Sequence, residues 1–297
     1  MLRWRVAISV ILIPLLFGIF YLDARLGSTA PFLLALTLLL GVRGSWELAD
    51  LFRERATGLN LPAVYVCVTG ILLAGWLPHF QNESLDRIEL TPMAVAMTLS
   101  ILLLGALATA RFSKPGRQIE TLAMELLIVC YIGILLGMTT QLRWVAGSEA
   151  GYLVLGSVLV CTKGGDIGGY FVGKRLGRRK LAPVLSPAKT LEGLVGAVIA
   201  AAIAGWLWLQ FATPIILRGA EPPAWPYAMI YGAFLGLAGA IGDLCESLFK
   251  RDVGRKDSAA LFPGFGGLLD ILDSVLFAGP VALLIWKVLP LATWLDS

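Results

Sequence analysis

Runs of roughly 18 or more mostly apolar residues recur from one end of this chain to the other, and that feature limits the fold before any motif is read. A water-soluble domain would have to hide nearly all of them. Such domains carry about 25% charged residues, whereas this chain of 297 residues is 15% charged and 58% hydrophobic. A transmembrane barrel would show short segments of alternating polarity instead, and the sequence lacks that pattern. The expected fold is all-α: a polytopic helical membrane protein of about nine spans.

The spans are expected at 6–22, 30–46, 62–78, 92–110, 121–140, 150–172, 191–211, 227–249 and 269–290. The second is the weakest, because its uninterrupted core, PFLLALTLLLGV, is short. The sixth is interrupted by KGGDIGG, which reads as a broken helix. The opening MLRWRVAISVILIPLLFGIFYLD has basic residues before an apolar run. It is read as a retained first helix rather than a signal peptide, because the run is long and no A-x-A site follows.

Nine spans put the termini on opposite sides. Of the 24 Lys and Arg residues, 18 then fall on the side of the N-terminus, 5 on the other, and Lys163 lies within a span. Basic residues stay cytoplasmic, so the N-terminus is expected in the cytoplasm. Residues 1–140, about five spans, read as a transmembrane scaffold. Residues 141–297 read as a transmembrane catalytic region within one integral membrane domain, with its site on the cytoplasmic face.

Cys67, Cys130, Cys161 and Cys245 lie far apart, and His79 is the single histidine. A zinc site, a disulfide framework and a Ser/His/Asp or Cys/His triad are therefore not expected. The cysteines read as small buried hydrophobes.

The polar signal gathers in three stretches. In GDLCESLFKR, helical spacing puts Asp243, Glu246, Ser247 and Lys250 on one face. A Glu246–Lys250 pair at a wetted helix end is one reading. Asp243 lies deeper, where an ionisable group is a functional candidate by default. In FPGFGGLLDILD, Pro263, Gly264, Gly266 and Gly267 form a loop whose backbone can approach a ligand. Asp270 and Asp273 follow, one turn apart on the last helix. Two acids so placed repel unless a cation lies between them, and few hard oxygen ligands completed by substrate phosphates suit Mg²⁺. The plain alternative is acids that complement a helix N-terminus.

The third stretch is CTKGGDIGGYFVGKRLGRRKLAPVLSPAKTLEG. Its Arg178, Arg179 and Lys180 read as an anchor on anionic lipid heads. Ser186, Lys189 and Thr190 read as phosphate contacts, although no GxxxxGK[ST] loop is present. Carboxylate-held metal with cationic clamps suits phosphoryl or nucleotidyl transfer, in which positioning and charge neutralisation supply most of the catalysis.

The stretch from Ser247 through Lys250-Arg251, Lys256-Asp257, Ala259, Phe262-Pro263, Gly266-Gly267, Asp270 and Asp273 resembles the signature of the phosphatidate cytidylyltransferase (CDP-diacylglycerol synthase) family. Asp166, Tyr170, Gly173 and the run Ser186–Gly193 are similar to that family as well. Two positions depart from it: Phe265 stands where the family has His, and Ile271 where it has Arg.

The resemblance implies a metal-dependent nucleotidyltransferase of phospholipid synthesis, with CTP and phosphatidate as substrates and CDP-diacylglycerol and pyrophosphate as products. It implies Mg²⁺, with room for a second cation, held by Asp243 and Asp270 and supported by Asp273. Lys250, Arg251, Lys256 and Lys189 would neutralise phosphates, with Lys174 and Arg175 as further candidates. Ser186, Thr190 and Ser247 would donate hydrogen bonds, Gly266 and Gly267 would let backbone approach substrate, and Asp166 would position a cation or a lysine.

Membrane lipids are expected partners and nucleic acid is not; a homodimer is compatible with the sequence. The expected location is the inner (cell) membrane of a bacterium, with the site facing the cytoplasm. The alternatives are another CTP-dependent or lipid-phosphate transferase and, from a different class, a polytopic transporter.

Overall fold

The computed structural model describes residues 14, 18–27, 29–56, 58–81, 91–147, 149–259 and 266–293. Most of the span expected at 6–22 lies outside them. The described helices are α1 (Pro31–Phe52), α2 (Leu61–Gln81) and α3 (Thr91–Arg111), then α4 (Gln118–Arg143). They continue with α5 (Gly151–Leu176), α6 (Leu191–Ile216), α7 (Trp225–Asp252) and α8 (Leu269–Val288). Each of the eight later spans expected from sequence falls on one of these. Seven of the described helices, all but α5, are long and apolar enough to cross a membrane. The chain is an all-α polytopic membrane protein; among the described residues a small antiparallel hairpin of β1 (Lys180–Ala182) and β2 (Ser186–Thr190) departs from that.

The chain divides into two compact units. The first takes its residues from Met1–Leu85, Glu89–Gly137 and Phe249–Ile271, the second from Asp86–Ile88, Met138–Leu248 and Leu272–Ser297.

In the first unit, buried carboxylates from elsewhere in the chain satisfy helix starts. The first N–H groups of a helix have no partner within it, and lipid offers none. Asp23, fully buried, accepts Phe32 N at 2.9 Å and Leu33 N at 3.1 Å at the start of α1. Glu125, also fully buried, accepts Asn60 N at 2.7 Å just before α2 and pairs with Arg111 at 3.4 Å. Its own helix, α4, loosens into a π-helical turn over Val129–Ile134. There Gly133 lies close against Val68 and Ile71 of α2. Phe249, near the end of α7, packs edge-on against Phe52 and Tyr131.

In the second unit the KGGDIGG stretch corrects an expectation. It does not break a helix: α5 is continuous from Gly151 to Leu176. Its glycines serve packing instead. A Cβ on Gly164 would press on Ala204, one on Gly168 on Ala200 and the Gly196 carbonyl, and one on Gly169 on Ala197 and the Gly193 carbonyl. On the facing helix, a Cβ on Gly196 would run into Val172. The stretch is thus a small-residue seam that brings the α5 and α6 backbones together, the usual way helices associate in lipid. Buried polar groups pair across the same unit. Ser157 Oγ and Tyr231 OH lie 2.6 Å apart, and Trp208 Nε1 donates to Leu153 O at 2.9 Å.

Candidate functional site

The last turn of α7 sets up the polar groups of the first unit. Gly254 takes a left-handed φ of 74°. Gly254 N donates to Arg251 O, and Arg255 N to Lys250 O. This is a Schellman ending, which closes the helix and turns the chain back. The turn carries Arg255 to Asp50 of α1, with Nη1 to Oδ2 at 2.8 Å, while its Nη2 donates to Ser258 O at 3.2 Å.

Asp270, in the first turn of α8, is the centre of this unit's site. Its Oδ1 receives Lys250 Nζ at 2.5 Å. Its Oδ2 accepts Gly267 N at 2.7 Å, Ser258 Oγ at 2.8 Å and Ser258 N at 3.0 Å. Both partners of the ion pair are nearly buried, with side chains 11% and 10% exposed. Gly266 has φ of 87°, and a Cβ there would collide with the Asp270 carboxylate. A Cβ on Gly267 would collide with Ser258 Oγ and Glu47 Oε2. The two signature glycines thus let backbone close around a carboxylate. Arg251 and Lys256 are exposed on the same segment. Ala260–Phe265, including the departure at Phe265, lies outside the described residues, whereas Ile271 is half-buried on α8.

The second unit holds a looser set. Lys189, on β2, pairs with Asp243 Oδ2 of α7 at 2.6 Å, the side chains being 25% and 36% exposed. Asp273 is 7% exposed and lies within electrostatic reach of Asp243, Lys163 and Asp166. Lys163 pairs with Asp166 at 3.1 Å and donates to Ser274 Oγ at 3.2 Å. Close packing of α7 on α8 builds this arrangement, since a Cβ on Gly242 would meet the Asp273 carbonyl and one on Gly239 would touch Ser274.

Thr190 is buried, and its Oγ1 accepts Gly193 N at 3.0 Å as the N-cap of α6, which the SPAKT reading did not foresee. Ser186 opens β2, and Ser247 is half-buried on α7. Lys174 lies over the Tyr170 ring and Arg175 over the Phe171 ring.

The structure therefore groups Lys250, Gly266, Gly267 and Asp270 in the first unit, and Asp166, Lys189, Asp243 and Asp273 in the second. Among the described residues no three His, Cys, Asp or Glu side chains form a metal-holding group. Asp243 and Asp270 each offer carboxylate oxygens, the donor type a hard divalent cation takes. Both are carboxylates, and on each an ammonium already supplies a positive charge at 2.5–2.6 Å.

Several polar residues here were not singled out from sequence: Glu47, Asp50, Ser258, Lys163 and Ser274. For Glu47 the signal was present. An acid flanked by Arg43 within an apolar run is a functional candidate, and these charges are what made the second span look short. Ser258 carries no local signal.

The chain matches the model of a family described as "Cytidylyltransferase family" over residues 3–289. It is 32% identical over 273 residues to a protein of Bacillus subtilis (strain 168) named phosphatidate cytidylyltransferase, covering 91% of this chain and 94% of that one. It is 33% identical over 295 residues to a protein of the same name from Pseudomonas aeruginosa, covering 96% and 97%. It is also 42% identical over 133 residues to the uncharacterized protein YnbB of Escherichia coli (strain K12), covering 45% of this chain and 42% of that one. A match from residue 3 to residue 289, taken with the grouping of Lys250, Gly266 and Gly267 around Asp270, leads to one conclusion: this chain belongs to the cytidylyltransferase family.

Proposed function

We propose that the protein transfers CMP from CTP to phosphatidate, giving CDP-diacylglycerol and pyrophosphate. The observation that carries this reading is the likeness, over nine-tenths of the chain, to proteins named phosphatidate cytidylyltransferase. A phosphate oxygen of phosphatidate attacks the α-phosphorus of CTP, a new P–O bond forms, the α–β anhydride bond breaks, and pyrophosphate leaves with the electron pair. The attacking oxygen is ionised near neutral pH, so the site needs no strong base.

The chain's own task is to gather anions and spread their charge. Lys189, Lys250, Arg251 and Lys256 are the cations proposed to meet phosphates. Ser186, Ser247 and Thr190 are proposed donors, Thr190 keeping its hydroxyl proton while its oxygen caps α6. Lys250 and Lys189 start on carboxylates, so phosphate binding would exchange one anionic partner for another. Asp166 holds Lys163 in order, and Asp273 is proposed to support Asp243 and Asp270. Mg²⁺, when bound, would be held through Asp243 and Asp270 and would offset charge on the nucleotide phosphates; a second cation is part of the same proposal.

We place the site on the cytoplasmic face of a bacterial inner membrane, because the Lys/Arg asymmetry of the loops follows the positive-inside rule and CTP is cytoplasmic. A homodimer is the assembly to test, by light scattering in detergent. Purified protein given labelled CTP, Mg²⁺ and phosphatidate should form lipid-linked CMP. Absence of that product rejects the reading. Product formed only with a different lipid phosphate would move the chain to another member activity.

A further inference from the structure

Glu47 is fully buried on α1. Apart from Arg43 on the same helix, its described partners lie on a segment more than 200 positions away in sequence. Oε1 accepts Leu268 N at 3.0 Å and Arg43 Nε at 3.0 Å. Oε2 accepts Leu269 N at 3.0 Å and Ser258 Oγ at 3.1 Å. The carboxylate therefore caps the start of α8, the helix that carries Asp270, and holds the returning end of the signature loop. Ser258 links the two acids. Its single hydroxyl proton faces both Glu47 Oε2 at 3.1 Å and Asp270 Oδ2 at 2.8 Å. A hydroxyl has one proton to give, so what Glu47 takes from Ser258 alters what Asp270 receives. Gly267 is threaded between the same groups with no room for a Cβ.

We propose that Glu47 is a positioning residue for the transfer reaction: through the α8 N-terminus and Ser258 it fixes the orientation and charge of Asp270. This rests on the reading of the chain as a CTP-dependent transferase. Glu47 does not itself touch substrate; Asp270 and Lys250 are the groups it sets.

Glu47→Gln separates this role from space filling. The amide has nearly the same shape but brings an N–H donor. Placed at the Oε1 position, that donor faces Leu268 N–H and the Arg43 guanidinium; at the Oε2 position it faces Leu269 N–H. Either way a donor meets a backbone donor, and the first turn of α8 loosens.

The test uses full-length protein in detergent with CTP, Mg²⁺ and phosphatidate. Supporting partners of a reactive centre cost about 10- to 100-fold in activity when removed. The expected result is a fall in kcat of that size for Glu47→Gln, with the KM for CTP changed by less than about threefold, the signature of an interaction that acts on the chemical step. Ser258→Ala should lower kcat as well. The double variant should lose little more than the worse single one, because both act through the same contact. Losses that multiply in the double variant, or wild-type kcat in Glu47→Gln, overturn the proposal.

Amide hydrogen exchange over residues 266–272 gives a readout that needs no turnover, and Glu47→Gln should exchange faster there. Unchanged exchange overturns the proposal whether or not the wild type is active. Faster exchange in Glu47→Gln, beside a wild type that forms no lipid-linked CMP, would retain the capping role and reject the functional reading. If Glu47→Gln does not fold, Ser258→Ala carries the same kcat and exchange tests.

Discussion

Asp270 in the first turn of α8 and Asp243 deeper within α7 are both acids on apolar helices, and each meets one lysine, but they are held in different ways. Asp270 sits in a cradle of fixed donors: two backbone N–H groups, one hydroxyl and Lys250, with its side chain 10% exposed. Asp243 has Lys189 alone among its described polar contacts, and its side chain is 36% exposed. A carboxylate half of whose donors are backbone N–H groups is pre-oriented, and removing it leaves those donors unsatisfied in a dry place. One held by a single flexible, partly wetted lysine can change partners at little cost. The first looks built to stay in place and the second to exchange.

Asp270→Ala is the hardest blow to this contrast. It should reduce formation of lipid-linked CMP by about three orders of magnitude. It should also destabilise the fold by about 1–3 kcal/mol, because the Ser258 and Gly267 donors lose their acceptor in a nearly buried place; thermal unfolding in detergent measures this. Full activity in this variant would reject the site. Gly267→Ala comes next: its methyl group has no room between Ser258 and Glu47. We expect about 1–3 kcal/mol of overpacking strain and a large loss of activity, with the KM for CTP as the second measurement.

Gly168→Val tests the seam between α5 and α6 rather than either acid. It should cost about 1–3 kcal/mol of stability, seen as a lower unfolding temperature. Asp243→Asn should sharpen the contrast most. Activity should fall, yet stability should change by no more than about 1 kcal/mol, as befits a partly exposed ion pair. A stability loss as large as that of Asp270→Ala would show that the two acids are held alike.

The positions of the later spans were legible because a run of apolar residues of bilayer length is a local property. Asp243, Lys250, Gly266, Gly267 and Asp270 could be picked out in the same way as candidates, since an acid or a glycine pair in an apolar frame demands a reason. The KGGDIGG stretch was legible as unusual but was misread. Glycine both weakens a helix and permits close approach, and only the facing Gly193, Gly196, Ala197 and Ala200 of α6 show that approach is its use. The pairing of Lys189 with Asp243 and of Lys250 with Asp270 was likewise out of reach, because charged residues several turns or a whole loop apart have many possible partners.

The sequence by itself determined that this protein is a bundle of membrane-length helices with its charges concentrated in a few short stretches, because hydrophobicity and helical period act over neighbouring residues. Only the tertiary structure decided which donors meet which acid, and that Glu47 of α1 caps the helix bearing Asp270 across 222 positions of chain. Those contacts depend on how closely packed backbones approach, and no local pattern of residues encodes that.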